Sequence, residues 1–432
     1  MAKIFPFRGM RYNKEKVGDI SKVVTPPYDV ISAQAQDNYY KKSPYSIIRL
    51  ILNKNSAGDN ENNNRYTRAR DFFEQWQRDE VLVTDKEESI YIYEQEFSVK
   101  SEKRVRTGFI ARLELSDFAA KEIYPHEKTF DKPKEDRLKI METCGVNFSP
   151  IFGLYYDKQK ITDNILESFK KNNTPIIDLT DEVSIRHRVW KISDSETVKQ
   201  IVGVLKDKEI FIADGHHRYE SALNFRNKMR KSGSKEKAHD YIMIYLANLN
   251  GEGISILPTH RLVKMLEGES IETVMGKISR DFEITNVKSK EEMLRTLEEK
   301  EVQNKYIFGM YNFNKEKEKG KFFTLELSDS EKLDTVRDKT KPDEYNKLAI
   351  TALHALIIDK IIHSDQESVG YTHDEDEAVE LVNEGKYGIA FFLNSTKIEE
   401  LKNIALAGGL MPQKSTFFYP KLKTGLVINK LV

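Results

Sequence analysis

Apolar and polar residues are spaced along this chain in two alternating rhythms, one of period two and one near 3.6. Residues 89–99 and 104–115 alternate strictly around the polar stretch 100–103, which predicts a β-hairpin. Residues 65–78 place Phe72, Phe73 and Trp76 on one helical side, and 162–171, 289–300 and 397–407 repeat that spacing. Strands are predicted at 149–156, 175–179, 187–192, 209–213 and 387–393. Further strand-like pieces surround PPYDVI at 26–31 and cover 45–52, with a helix near 33–42 between them. The polar run 53–64 is a surface loop. Pro133 suits the first turn of a helix that ends near Cys144, with Gly145 just beyond it. Strands 241–249 and 254–257 flank a turn at 250–253, and Thr259 is read as the N-cap of a helix that follows. Beyond it come a charged helix over 267–282, a hairpin of 305–313 and 320–327 around the turn 314–319, and a helix over 343–362.

Strands interleaved with helices define a mixed α/β fold. The expected division is a core over 1–265, a small α/β accessory domain over 266–335, and a C-terminal segment over 336–432 that packs back on the core. No ligand-type cluster occurs in the accessory part, so its expected role is structural or oligomeric, with a homodimer as the simplest assembly.

Composition narrows the function. The chain has 432 residues, with 39% hydrophobic and 10% aromatic content, enough for more than one core. Lys+Arg 69 equals Asp+Glu 69, so no global field draws the chain to nucleic acid or anionic lipid. One cysteine, Cys144, leaves no internal disulfide and is expected to be a buried structural thiol in a reducing, cytoplasmic setting. The N-terminus lacks the apolar core of a signal peptide. The longest apolar helical run, 348–362, carries His354, Asp359 and Lys360 and falls short of the roughly 20 residues a membrane span needs. The expectation is a soluble protein with no membrane or nucleic-acid partner, and with His354 as a core histidine.

The chemistry concentrates at 210–223, IFIADGHHRYESAL. A short apolar strand ends in Asp214, Gly215, His216, His217 and Arg218, and a helix begins at once. Such a strand–turn–helix presents backbone N–H groups backed by the helix dipole. Gly215 permits a sharp turn and close approach of a ligand. Arg218 offers a fork for phosphate or carboxylate. His216 and His217 are expected to donate hydrogen bonds or to act, when charged, as general acids beside phosphate. The alternative is a buried turn whose polar residues only satisfy backbone groups. A second cluster spans 124–137: His126, Glu127 and Lys128, then Lys132, Lys134 and Arg137 near a helix N-terminus, where cations oppose the dipole unless an anion is bound. His260 and Arg261 are read as a third basic helix start. Lys414, Ser415, Thr416 and Lys421 supply further donors and cations. Asp29, stiffened behind Pro26 and Pro27, is either a catalytic base or metal contact, or an Asx-turn acceptor. Neither a P-loop nor GxGxxG occurs, and no CxxC or HExxH supports zinc.

ADGHHRYESAL resembles the signature of a bacterial and archaeal family catalogued as domain of unknown function 1015. PPYDVI, HEKTFDKPKEDR (126–137), HRVW (187–190), LPTHR (257–261) and MPQKSTFFYPK (411–421) match that family as well, so the resemblance covers nearly the whole chain. The DGHHR core is also similar to that of ParB/sulfiredoxin-like proteins, and especially to their free-serine kinases. What the resemblance implies is a ParB/sulfiredoxin-like nucleotide-binding core and transfer of phosphate from ATP or ADP to free serine or a related small molecule. Phosphoryl transfer then calls for Mg²⁺, with Asp214 as its expected ligand, and for a base among Asp29, Glu127 and Glu220. Competing expectations are a nucleotide-binding regulator without catalysis and a phosphoester hydrolase.

Overall fold

The computed structural model describes residues 2–233, 237–265, 268, 270–303, 306–314, 319–362 and 369–431. The chain divides into two units: Met1–Pro125, Thr129–Ser255 and Pro420–Val432 form the first, and His126–Lys128 with Ile256–Tyr419 form the second. Both mix strands with helices, as the alternating periodicities predict.

The first unit is built on a nine-stranded sheet. Its strands are β1 (Ile4–Phe5), β2 (Ile90–Val99), β3 (Glu102–Glu114), β4 (Ile123–Tyr124), β5 (Ile151–Tyr155), β6 (Ile177–Thr180), β7 (Arg186–Ile192), β8 (Ile210–Asp214) and β9 (Tyr241–Asn248). They run in the order β4-β8-β5-β9-β3-β2-β7-β6, with β1 added beside β3. The β4–β8 and β5–β9 pairs are parallel; the other pairings are antiparallel. The β2–β3 hairpin is tighter than the 100–103 turn expected. Lys100 and Ser101, at φ 48° and 69°, both adopt left-handed backbone, and the ladder closes directly onto Glu102.

Helices α1 (Ala33–Lys42), α2 (Arg65–Arg78), α3 (Asp131–Cys144), α4 (Ile161–Asn172), α5 (Ser195–Leu205) and α6 (His216–Lys231) complete this unit. Ile92, Phe109 and Leu113 of the sheet share one core with Leu166 of α4, Ile201 and Leu205 of α5, and Tyr219, Ala222 and Phe225 of α6. Each large apolar side chain removed from water here contributes about 1.5–3 kcal/mol. That core fixes the β8–α6 junction, where the candidate chemistry lies. Cys144, buried beside the left-handed Gly145, has its thiol pushed up to about 12 by burial, in keeping with a structural role.

Two strands expected near the N-terminus are absent. PPYDVI forms a short 3-10 turn over Tyr28–Val30, because the two prolines preset turn-compatible backbone and leave only three residues to wind. The 45–52 stretch contains the short helix Ile48–Ile51, all of whose apolar residues are buried. A continuous apolar run does not distinguish a buried strand from a buried helical turn.

The second unit contains a six-stranded antiparallel sheet of β10 (His260–Val263), β11 (Phe282–Val287), β12 (Ile307–Asn314), β13 (Lys319–Leu327), β14 (Val369–Thr372) and β15 (Ile389–Phe392). Their order is β11-β13-β12-β15-β10-β14. Helices α7 (Ile271–Ile278), α8 (Lys290–Glu301), α9 (Glu375–Asn383) and α10 (Ile398–Leu406) belong to it. The β12–β13 hairpin, expected in an accessory domain, pairs through β15 with β10, so it shares one sheet with strands on either side of it in sequence. Residues 305 and 315–318 of the expected hairpin, and 267 and 269 of the expected helix 267–282, lie outside the described residues.

The helix expected from Thr259 is instead β10. His260–Val263 pairs with Val369–Thr372 on one side and Ile389–Phe391 on the other, and this two-sided ladder outweighs a weak capping signal. The expected 343–362 helix breaks into Asp343–Asn346 and Ala349–Leu353, and the latter continues as a wider, π-type winding over His354–Ile362. His354 is half-buried, with Nδ1 3.8 Å from Asp359. Strand 254–257 pairs with Phe417–Tyr419 and does not close the hairpin expected with β9. Among the described residues no helix is long and apolar enough to cross a membrane.

Candidate functional site

At the end of β8 the ladder with β5 shifts register between Ile212 and Asp214, which turns the Asp214 carboxylate out of the strand alternation. Gly215 follows at φ 95°, and the 16-residue α6 starts with no side-chain cap. A β-carbon at Gly215 would lie 2.9 Å from both Arg218 Nη2 and Ile151 Cγ2, so the turn has space for glycine only. The expected strand–turn–helix is therefore present.

The charged groups on this turn serve one another. Arg218 Nη2 donates to Asp214 Oδ2 at 2.6 Å, while Nη1 donates to Ser149 Oγ at 3.1 Å and to the Pro150 carbonyl. Only its Nε, buried, has no partner. Lys421 Nζ donates to the other carboxylate oxygen, Oδ1. Burial alone would raise the Asp214 pKa; the charges of Lys421 and Arg218 outweigh it and hold the group well below the usual carboxylate range. Arg218 is thus not the open fork expected from the sequence. Its fork is filled by a carboxylate and a carbonyl of the same chain.

The imidazoles differ from expectation in the same sense. His216 is buried, and burial lowers its pKa to about 3 despite Asp214 nearby, so the ring is neutral at pH 7. His217 Nε2 accepts the Phe130 N–H at 3.0 Å, and its ring stacks on that of Phe130 at 6.1 Å between centroids. A nitrogen that accepts a hydrogen bond carries no proton, so the His217 proton sits on Nδ1. The buried His216 ring does not provide the imidazolium acid expected. A pH prediction follows from His216. The unfolded chain binds its proton near pH 6.5 and the folded chain near 3, so stability falls as pH drops through that window, by at most about 1.4 kcal/mol per unit. Urea unfolding at pH 7 and 5 should show this loss in the natural protein and a smaller one in His216→Gln. Equal losses in the two would show that other groups govern the slope.

Helix α3 packs its start beside α6. Glu220 Oε2 accepts from Thr129 Oγ1 at 2.8 Å and from Lys134 Nζ at 3.2 Å, and Lys134 also pairs with Asp131 at 3.2 Å. Arg137 is buried, donates through Nε to Asp136 Oδ2 at 2.9 Å, and lies 3.7 Å above the Tyr28 ring. Asp136 accepts also from Tyr66 at 2.7 Å and from Arg65. Lys134 and Arg137 therefore have carboxylate partners, which offset the dipole conflict foreseen for bare cations. Lys132 is exposed. Burial raises the Tyr28 hydroxyl to about 12, against the charges of Arg137 and Arg218. Asp29 is exposed, and Ser32 Oγ caps α1 by accepting the Ala35 N–H at 3.2 Å.

Residues that sequence reasoning passed over form the backing of the turn. Arg106, fully buried, donates to the Pro420 carbonyl and to Gln95 Oε1, and Gln95 Nε2 donates to the Lys421 carbonyl at 3.1 Å. Two residues on, Lys423 Nζ meets Asp181 Oδ2 at 2.8 Å. His187 of β7 lies 3.1 Å from the same oxygen and 2.8 Å from the Tyr93 hydroxyl. His187 lies in the signature stretch HRVW and so had a signal; Asp181, Tyr93 and Gln95 had none. Arg188 pairs across the sheet with Glu94 and Glu96, as strand alternation implies.

The remaining expected residues belong to the second unit. His126 is buried, its Nε2 3.0 Å from Thr416 Oγ1, and its carbonyl accepts the Met411 N–H at 2.7 Å. Glu127 bridges to Met411, and Lys128 is exposed. His260 is buried against Phe392, and Leu393 N–H reaches its Nδ1 at 3.4 Å. Arg261 is buried; Lys414 is exposed at φ 54°; Ser415 Oγ donates to the Pro412 carbonyl. The strand register of His260 and Arg261 removes the third basic helix start.

Among the described residues, no group of three or more His, Cys, Asp and Glu side chains is placed to hold a metal ion. Asp214, the expected magnesium ligand, carries an ammonium on one oxygen and a guanidinium on the other. These residues do not fit Mg²⁺.

The fold and turn define a mixed α/β protein with a glycine-opened, uncapped helix start backed by buried cations. The chain belongs to the family described as protein of unknown function (DUF1015), whose model matches residues 4–353. No curated protein matches it. Among solved structures, it is similar to a conserved hypothetical protein from Pyrococcus furiosus (13% identity, TM-score 0.33, 71% of this chain and 92% of that one). It is also similar to a free serine kinase variant in complex with ADP (13%, TM-score 0.33, 71% and 89%). A third is a C-terminally truncated SbnI from Staphylococcus aureus (10%, TM-score 0.33, 71% and 84%).

Proposed function

We propose that the first unit binds a nucleotide with its phosphates at the Gly215–Arg218 turn and transfers a phosphoryl group to the hydroxyl of free serine or a related metabolite. The observation that carries this reading is the start of α6: a helix of 16 residues opening from Gly215 with no side-chain cap. Its amide dipoles favour an anion there, and the buried Arg218 Nε has a donor to spare. The Arg218–Asp214–Lys421 chain holds the turn rigid, so the donors need no rearrangement when charge develops on the phosphoryl oxygens. In the reaction the acceptor oxygen forms a bond to phosphorus, the bridging P–O bond breaks, and the shortened nucleotide leaves. The hydroxyl proton passes to a carboxylate, for which Asp29 is the candidate.

The resemblance of ADGHHRYESAL to free-serine kinases supplies the acceptor. A binding protein without transfer is the second reading, favoured by the occupied fork of Arg218. Incubation with ATP or ADP, with and without L-serine, distinguishes them by phosphorus NMR. Phosphoserine together with a shortened nucleotide is the expected result. Calorimetric binding with the nucleotide left intact would leave only the second reading, and phosphate released without serine would indicate a hydrolase.

A further inference from the structure

The second unit contains a cavity of about 40 Å³ whose lining includes Arg261, Ser395, Lys397, Glu301, Glu400 and Leu393. Arg261 is 1% exposed. Its Nη1 donates to the Thr259 carbonyl and its Nη2 to the Gln413 carbonyl at 3.2 Å, while Nε is buried without a partner. The Tyr371 ring lies 5.2 Å from the guanidinium carbon, and no carboxylate pairs with Arg261 among the described residues. Carbonyls and a ring are weak compensation for a full buried charge.

The two carboxylates of the lining, Glu301 and Glu400, are both engaged by Lys397. Glu301 lies 3.3 Å from Lys397 Nζ, and Glu400 Oε2 accepts the Lys397 backbone N–H at 3.1 Å. Lys397 also immediately precedes the nine-residue α10, whose dipole adds positive potential.

We infer that this cavity binds a small oxyanion, a carboxylate or phosphate group, with Arg261 as its buried counter-charge. The volume holds roughly three water molecules, which suits one such group and excludes a nucleotide. Ser395 supplies a hydroxyl in the lining, while Ser415 Oγ already donates to the Pro412 carbonyl. The inference uses only residues of the second unit and stands apart from the nucleotide reading.

The test is thermal unfolding and calorimetry of the full chain with inorganic phosphate and, separately, acetate at constant ionic strength. A saturable rise in Tm is expected, with affinity at least tenfold weaker in Arg261→Ala and about threefold weaker in Lys397→Ala. Should Arg261→Ala fail to fold, Ser395→Asp carries the test. It supplies an internal carboxylate, and is expected to raise Tm without ligand and abolish the response. A response to phosphate alone assigns a phosphate group, and equal responses assign a carboxylate. No saturable response to either anion, or the same response in Ser395→Asp as in the natural protein, overturns the inference.

Discussion

Arg218→Ala should destabilise the first unit by about 3 kcal/mol, the lower end of the range for removing one partner of a buried ion pair. The variant leaves the Pro150 carbonyl and Ser149 Oγ without their donor and Asp214 with Lys421 as its remaining cation. Lys421 keeps the cost from the upper end, near 5 kcal/mol. It also opens a void beside Gly215, whose backbone lies close against the guanidinium. Arg218→Lys keeps the charge and loses the fork, so about half of the loss is expected. Asp214→Asn should cost a similar amount, because it leaves two cations facing each other, and the double variant should lose less than the sum. Urea unfolding at pH 7 reads all four. If Arg218→Ala matched the natural protein in stability and lost only nucleotide affinity, the guanidinium would be an open ligand fork after all.

The contrast between turn and partners shows what was legible in the sequence. Apolar strand, Asp-Gly and helical periodicity lie within fourteen residues, so the β8–α6 junction is a local property that periodicity reports. The partners of Arg218 are at Ser149 and Pro150, and the second cation on Asp214 comes from Lys421, 207 positions away. Nothing local announces that a basic residue has a carboxylate waiting elsewhere in the chain. Lys134 illustrates the same limit through Glu220, 86 positions away, whereas its other partner Asp131, and Asp136 beside Arg137, are near neighbours in sequence. β10 illustrates a different one. HRLV is too short for its period to separate strand from helix, and only its neighbours β14 and β15 decide. The signature stretches did foretell proximity, since residues of PPYD, FDKPKEDR, DGHHRYE and YPK meet within the first unit.

Asp29→Asn should lower kcat for phosphoryl transfer by about 10²–10⁴-fold, the usual contribution of a positioned proton acceptor. That corresponds to about 3–5 kcal/mol of barrier. The expectation rests on elimination as much as on position. Glu220 already accepts from Thr129 and Lys134, and Glu127 belongs to the second unit, where it bridges to Met411. The buried His216 ring is neutral, and His217 Nε2 is engaged by the Phe130 N–H. Asp29 is exposed, follows a tyrosine clamped beneath Arg137, and sits in a turn whose backbone is preset by Pro27. An exposed carboxylate can be exchanged for an amide within about 0.5 kcal/mol of stability, so any loss of rate is not a loss of fold. Nucleotide affinity should be unchanged, because the amide keeps the shape and the phosphates are held at α6. Glu220→Gln, which weakens the Thr129 and Lys134 contacts, should reduce kcat less than tenfold. Rates of phosphoserine formation across pH 5–9 for these two variants give the comparison. Turnover by Asp29→Asn within a few-fold of the natural protein would move the proton acceptor to another group.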